Sequence, residues 1–387
     1  VLVSRLGIIG AGQLALYLCE AAQALGSAVA ILAEPGDAPA LAIADRPFRY
    51  TSGNSAVVED FIANCDVVTF DKEAIPEEIL LLLEAAEQQG RIAVRPGTNT
   101  LQLLQDKAMQ KAWLVEHNLP TLPFVVLSDN CSPVSDLTAK LGSAVVQKAR
   151  CGGYDGRGVQ ILARLESAQQ LWNVPSIVEP YLPQSREISV IVARTRSGEI
   201  QDYPPMSMEF DHQLNSVIAV TIPAAITPSQ CDAASSLARK AVSALDGVGV
   251  FAVEMFINAA GELLVNEISP RVHNSGHVTL DACNVSQFEQ HARAVLDLPL
   301  VSIGPVTPAA MLNVLDSQEL RTGFPSQPAT VSWPELAATV YWYGKTPGRT
   351  GRKMGHINTL AASAGEALEL AKQARGKLAD SKSGWAA

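Results

Sequence analysis

The 387 residues predict an α/β chain that opens on a parallel, doubly wound sheet and passes into α+β units. Residues 2–10 (LVSRLGIIG) form an apolar strand, AGQLALYLCEAAQALG continues at helical spacing to Gly26, and residues 27–32 form the next strand. Strand, glycine turn, helix, strand is how a doubly wound sheet begins. Further along, the apolar stretches 249–257 (GVFAVEMFI) and 262–268 (ELLVNEI) are joined by Asn258-Ala-Ala-Gly261, which is a hairpin signal. After Pro305 the chain turns rich in Pro, Gly and Thr, and a small β-rich module closed by a helix over 364–378 is expected.

Taken in order, the buried strand 66–70 (DVVTF), a helix over 76–90 and a strand over 92–94 complete a first unit, residues 1–98. A helical stretch over 99–117 contains Asp106, Lys107 and Lys111, and Leu119-Pro-Thr-Leu-Pro then leads into a strand at 124–127. Strands 144–148, 159–162 and 177–179 surround a glycine-rich segment and define a second unit, 99–183. Strand 188–192 opens a third, 184–304, on whose sheet helices over 230–245 and 286–296 pack; the fourth is 305–387, with 381–387 a fraying end. No internal repeat is visible.

Charge and composition narrow the function classes. With 39 acidic and 29 basic residues the formal net charge is -10, so the chain carries no overall footprint for nucleic acid, and any anion must be held by local basic clusters. The 48% hydrophobic content can fill sizeable cores. The six cysteines are scattered without a C-x-x-C pair, which predicts reduced thiols and a cytoplasmic protein. No cleavable signal or membrane-length apolar run is seen, so a membrane location is not expected. Val1 stands where an initiator Met is expected, which leaves the start of the chain open.

The segment 149–159 (ARCGGYDGRGV) places four glycines around Tyr154, Asp155 and Arg157, directly after a strand that ends in Lys148. Backbone N–H groups freed by glycine can close on a phosphate chain, and the lysine supplies a point charge. No Gly-Lys-Ser/Thr follows at Walker A spacing, so a mobile flap is the better picture, with an ordinary Asp-Gly or Gly-Gly hairpin turn as the alternative. Gly10-Ala-Gly-Gln-Leu-Ala resembles a dinucleotide fingerprint without its third glycine, and Glu34 follows the second strand where a ribose-binding acid would lie. An NAD-linked oxidoreductase is therefore a rival reading; the same turn could receive another ligand's phosphate or be merely tight.

The hairpin strands each carry an acid, Glu254 and Glu267, among apolar residues. Two carboxylates about 4 Å apart repel by roughly 4 kcal/mol at an effective dielectric near 20, so a compensating charge is needed, and Mg²⁺ is the obvious one. Alternatively one Glu points to solvent and the other pairs with Arg271. Ser269-Pro-Arg271-Val-His273-Asn-Ser-Gly-His277 follows at once, and such a density of polar groups after a buried strand is costly unless a ligand satisfies them. Zinc is disfavoured, because no third His or Cys stands at metal spacing.

Lys148, GGYDGRG at 152–158, Glu179, Glu187, FAVEMF with Glu254, and NEISPRVHNSGH at 266–277 together resemble the ATP-grasp ligases. Within them, GGYDGRG, PRVHNSGH, SQFEQHARAV at 286–295 and GRKMGHIN at 351–358 resemble the N5-carboxyaminoimidazole ribonucleotide synthetases of purine biosynthesis, from Leu6 to about Leu378. The resemblance implies an ATP-grasp fold with an N-terminal Rossmann-like pre-grasp domain and a small C-terminal β-rich module. ATP would lie between two subdomains, with Lys107 and Lys148 on its phosphates and Gly153, Tyr154, Asp155, Gly156, Arg157, Gly158 and Val159 closing over them. Glu179, Pro180, Tyr181 and Leu182 would form the hinge against adenine, Glu187 would meet the ribose hydroxyls, and Asn266 would line the same site. Glu254 and Glu267 would hold Mg²⁺, or Mn²⁺ in its place.

In that family bicarbonate attacks the γ-phosphate, and the exocyclic amine of aminoimidazole ribonucleotide then takes the carboxyl group from carboxyphosphate. Arg271 would stabilise that anion, with Tyr154, Asp155 and Arg157 closing over the reaction centre. Tyr343-Gly-Lys345 and Gly348-Arg349-Thr-Gly-Arg352-Lys353 form a local basic patch; by resemblance Lys345, Arg352 and Lys353 would bind the substrate's 5′-phosphate, with a solvated basic loop as the alternative. Gln13, Glu73, His273, Asn274, Ser275 and His277 would lie nearby, and a homodimer is implied. The chain departs from the family where GGGQLGRM reads GAGQLALYL, where Asp71 replaces a frequent Glu and leaves Glu73 as the matching acid, and at Ser207 and Ser269. Rival enzymes are a formate-using glycinamide ribonucleotide transformylase or a biotin carboxylase-like ligase, and a non-catalytic nucleotide-binding relative is the rival of another class.

Overall fold

The computed structural model describes residues 4–36, 38–128, 133–152, 158–211, 216–316, 324–346 and 351–380. Gly153, Tyr154, Asp155, Gly156 and Arg157 of the glycine segment, Arg349 of the basic patch and the expected fraying end lie outside the described residues. The first sheet has five parallel strands in the order Arg46–Arg49, Val29–Ala33, Leu6–Ile9, Val67–Phe70, Ala93–Val94. Its central strands are buried along their whole length, as their unbroken apolar runs require. Edge strand Arg46–Arg49 (RPFR) and helix Ser55–Ala63 went unread in the sequence, because the edge strand is mostly exposed and carries no apolar run.

The helical stretch after residue 98 is two helices, Thr98–Gln105 and Lys107–Glu116. Asp106 breaks it: its backbone is extended, and its carboxylate accepts from the N–H of Ala108 at 2.9 Å and Met109 at 3.3 Å, capping the second helix. Arg150 pairs with the same carboxylate at 2.5 Å, so the base of the glycine segment is tied to the start of the helix that carries Lys107 and Lys111. A four-stranded antiparallel sheet follows, in the order Val125–Leu127, Ser176–Pro180, Val145–Ala149, Val159–Leu162.

The tail does not build a sheet of its own. Its strands Ala309–Leu315, Lys353–Leu360, Ala338–Trp342 and Ala329–Trp333 continue a single ten-stranded sheet that starts with Leu263–Ser269, Gly249–Ile257, Arg186–Arg194, Met206–Asp211 and Ser216–Ile222, while Ile200–Asp202 pairs beside Arg186–Arg194. Ala309–Leu315 is buried at every position, so both its edges need partners, and Ser216–Ile222 supplies one of them.

The first sheet is pinned to this large one by a buried histidine. His291, on helix Gln287–Val295, accepts the Val250 N–H at Nδ1 (2.9 Å), which leaves the proton on Nε2 for Thr69 Oγ1 at 2.8 Å. Burial pushes the ring's pKa down to about 3, so it stays neutral and both bonds persist. Arg95 adds an ion pair to Asp297 at 2.7 Å across the same junction.

Candidate active site

The four-stranded sheet and the edge of the ten-stranded sheet face each other across a cleft lined by Lys107, Gln110, Lys111, Lys148, Ile177, Asn266 and Glu267. Lys148 sits at the end of strand Val145–Ala149, opposite Val159 in register, and reaches Glu179 at 2.7 Å and Asn266 Oδ1 at 2.8 Å. Lys107 pairs with Glu267 at 2.6 Å. The helix and the strand Leu263–Ser269 are locked together by Gln110, which donates to Ile268 O at 3.2 Å and accepts from Ile268 N at 2.7 Å.

Glu254 and Glu267 are direct partners in the antiparallel register of Gly249–Ile257 and Leu263–Ser269, so their side chains leave the same face. Like charges so placed need neighbours of opposite sign. Lys107 serves Glu267, and His273 Nε2 lies 3.1 Å from Glu254. Burial alone would raise the Glu267 carboxyl, but Lys107 and Lys148 hold it below the usual range. Glu187, from the adjoining strand Arg186–Arg194, is pushed up to about 7 by burial and then by the Glu254 charge. Arg271 pairs with neither glutamate of the hairpin: its Nε meets Glu73 at 2.9 Å, joining the exit of the large sheet to the first unit.

Some expected contacts lie elsewhere than the sequence reading put them. The Glu179 side chain is 1% exposed and is held by Lys111 and Lys148, so its carboxylate is engaged within the protein, while Pro180, Tyr181 and Leu182 are half-buried. Asn274, Ser275 and His277, expected at the substrate, are buried in the 3-10 turn Asn274–Val278. Asn274 exchanges amide hydrogen bonds with Asn313 at 3.1 and 2.8 Å, and Ser275 Oγ donates to Ser189 Oγ at 3.0 Å and lies 2.9 Å from His273 Nδ1. Ser275 thus orients His273, while the Asn274 amide is engaged by Asn313. His277 stacks on His356 with ring centres 4.5 Å apart, and Tyr17 meets its edge at 5.7 Å.

Burial, then His356 and the lysines 353 and 345, hold the His277 pKa well below its ordinary value. The folded state therefore refuses a proton that the unfolded chain accepts: its contribution to stability is intact above about pH 6.5 and is lost as pH falls below it. Replacing His277 by Phe, which keeps the stack, should flatten the acid fall of unfolding free energy by about 1.4 kcal/mol per pH unit between pH 6 and 4, read from urea midpoints. An unchanged slope would show that His277 is not the buried neutral group described.

The dinucleotide reading of the first turn is overturned. Gly12 N–H, the group that would face a pyrophosphate, donates to Asp71 Oδ2 at 2.9 Å, and Glu34, the expected ribose acid, is paired with Lys72. Gln13 instead accepts from Lys345 Nζ at 2.5 Å, and Lys345 also reaches Lys353 O at 3.4 Å, so the first helix and the basic tail segment meet. Arg352 donates to Thr346 O at 2.8 Å. Lys111 was missed as a site residue, although it stands one helical turn after Lys107 and shares its face.

A lysine-lined cleft between a small antiparallel sheet and a carboxylate-bearing one, preceded by a parallel sheet, defines an ATP-grasp ligase. Residues 112–288 match the ATP-grasp domain, 3–105 the ribonucleotide synthetase preATP-grasp domain, and 309–370 the phosphoribosylaminoimidazole carboxylase C-terminal domain. The chain is 39% identical to an N5-carboxyaminoimidazole ribonucleotide synthase of Synechococcus elongatus, over 99% of this chain and 96% of that one. It superposes on the N5-carboxyaminoimidazole ribonucleotide synthetase of Thermotoga maritima with a TM-score of 0.81 at 34% identity, covering 96% and 98% of the two chains. The Aspergillus clavatus N5-carboxyaminoimidazole synthase, solved with ADP and 5-aminoimidazole ribonucleotide, gives a TM-score of 0.83 at 28% identity, with 98% and 99% covered. The chain belongs to the N5-carboxyaminoimidazole ribonucleotide synthase family.

Proposed function

We propose that the chain uses ATP and bicarbonate to carboxylate the exocyclic amine of 5-aminoimidazole ribonucleotide, giving N5-carboxyaminoimidazole ribonucleotide, ADP and phosphate. The observation that carries this is the pairing of two anion-directed clusters. Lys107 and Lys148 line one cleft with Glu267, whose register partner is Glu254, while Lys345 meets Gln13 of the first unit and the backbone of Lys353. An enzyme that holds a nucleotide's phosphate chain beside a second, phosphorylated substrate needs two such places.

Phosphoryl transfer asks for positioning and charge neutralisation and not for a protein nucleophile. Lys107 and Lys148 would bind the phosphates, and Gly158 and Val159, with residues 153–157, would cover them. A bicarbonate oxygen attacks the γ-phosphorus as the bond to ADP breaks, forming carboxyphosphate. The substrate amine then attacks its carboxyl carbon, the bond to phosphate breaks, and an amine proton is released. Arg271, held by Glu73 at 2.9 Å, would face the carboxyphosphate, with Tyr154, Asp155 and Arg157 excluding water.

Glu254 and Glu267, in register on adjacent strands, suit a hard divalent cation that takes few protein carboxylates and completes its shell with water and phosphate oxygens. They would hold Mg²⁺, or Mn²⁺ in its place, which when bound neutralises charge between the phosphates. Gln13, Glu73 and His273 remain as side chains toward the second substrate, with Lys345, Arg352 and Lys353 for its 5′-phosphate. Among the described residues no helix is long and apolar enough to cross a membrane. The family resemblance supports a homodimer working in the cytoplasm.

Product analysis with ATP, bicarbonate and aminoimidazole ribonucleotide, each withdrawn in turn, tests the reaction. ADP release that needs formate and ignores bicarbonate would overturn it. Lys353→Ala should raise KM for aminoimidazole ribonucleotide by about 10- to 100-fold, the worth of a charge-assisted contact, with little change in KM for ATP. An effect confined to ATP would remove Lys353 from the phosphate site.

A further inference from the structure

The cleft contains a lysine without an evident task. Lys111 has a 3% exposed side chain, pairs with Glu179, and donates to Thr121 Oγ1 at 2.6 Å. Thr121 in turn donates to Val265 O at 2.7 Å, one residue before Asn266, whose Oδ1 accepts from Lys148 at 2.8 Å. The Glu179 carboxylate is therefore shared by two ammonium groups, with Lys148 at 2.7 Å on one oxygen and Lys111 on the other, and both lysines line the cleft.

Charge counting shows what this arrangement does. A buried carboxylate facing Lys148 alone would cancel it, leaving a neutral pair with little attraction for a phosphate. Lys107 does not make up the difference, because Glu267 matches it at 2.6 Å. With Lys111 present, two ammonium groups share one carboxylate and the group keeps a net positive charge. We infer that Lys111 is a positioning residue for the nucleotide phosphates: by taking one oxygen of Glu179 it leaves Lys148 oriented and electrostatically uncancelled toward the cleft. This rests on the reading that Lys148 meets the phosphates.

The test compares the binding of ADP, in magnesium buffer, with that of adenosine, which has no phosphate. Lys111→Met should weaken ADP at least about tenfold and leave adenosine unchanged. The double variant Lys111→Met with Glu179→Gln removes the cation and the carboxylate together, so Lys148 is again uncancelled and ADP affinity should recover most of the loss. Equal weakening of adenosine and ADP would mean that Lys111 only packs the cleft, and a double variant no better than the single one would also overturn the inference. Should methionine unfold the chain, Lys111→Gln, which keeps a donor for Thr121 and Glu179 but no charge, gives the same comparison. Lys148→Met separates the two readings: if it binds ADP as the unaltered chain does, the phosphate role of Lys148 falls; if it weakens ADP while Lys111→Met does not, only the role of Lys111 falls.

Discussion

Glu267→Gln should lower the rate of ADP formation by about 10³-fold at saturating ATP, the scale of the several kcal/mol that a metal ion contributes to charge stabilisation in such a transition state. Glutamine keeps the shape of the side chain and can still accept from Lys107, so the 2.6 Å contact need not be lost. What disappears is one of two negative charges that stand in register across Gly249–Ile257 and Leu263–Ser269. The loss should fall chiefly on kcat and on the magnesium dependence, with a smaller fall in melting temperature, because Lys107, 14% exposed, loses a charge partner. Unchanged turnover would take Glu267 out of the site and, with it, the assignment of the carboxylate pair to a cation.

Gly10→Ala should destabilise the chain by about 3 kcal/mol or more. Gly10 has φ +106°, where a side chain is strained, and a Cβ there would stand 1.6 Å from Asp71 Oδ1. Asp71 would have to leave its place, and the bond from Gly12 N–H at 2.9 Å would go with it. Burial already pushes the Asp71 carboxyl up to about 6, so the group has little reserve against further loss of partners. A fall of at least about 4 °C in thermal midpoint is expected. Gly12→Ala serves as the comparison, since its Cβ would stand 3.3 Å from Asp71 Oδ2, and it should cost clearly less. If the two variants melt together, the plug of Asp71 in the turn is not what holds this segment.

Much of the architecture could be followed along the chain. The unbroken apolar runs of the first sheet, the hairpin at Asn258 and the acids within its strands all rest on local pattern, and the structure places Glu254 opposite Glu267. Where the pattern was weak the reading stopped: the edge strand Arg46–Arg49 has no apolar alternation to reveal it. The polar cluster after Glu267 was legible as a cluster but not in its division of labour. His273 turns to Glu254, whereas His277, four residues on, is stacked between His356 and Phe288. Polar residue type signals chemistry, but it does not show which side of a turn faces the interior.

By itself, the order of residues determined the α/β class, the glycine segment after Lys148, and the two acids on a hairpin, because periodicity and turn chemistry act over a few neighbouring residues. Only the tertiary structure decided the charge partners: Glu179 with Lys111 and Lys148, Arg271 with Glu73, Lys345 with Gln13, and Asp71 in the turn that a dinucleotide would need. Those partners lie tens to hundreds of positions apart, and their pairing depends on which groups come to share one poorly solvated space. Electrostatic attraction there is strong enough to select a partner, and the sequence carries no local mark of it.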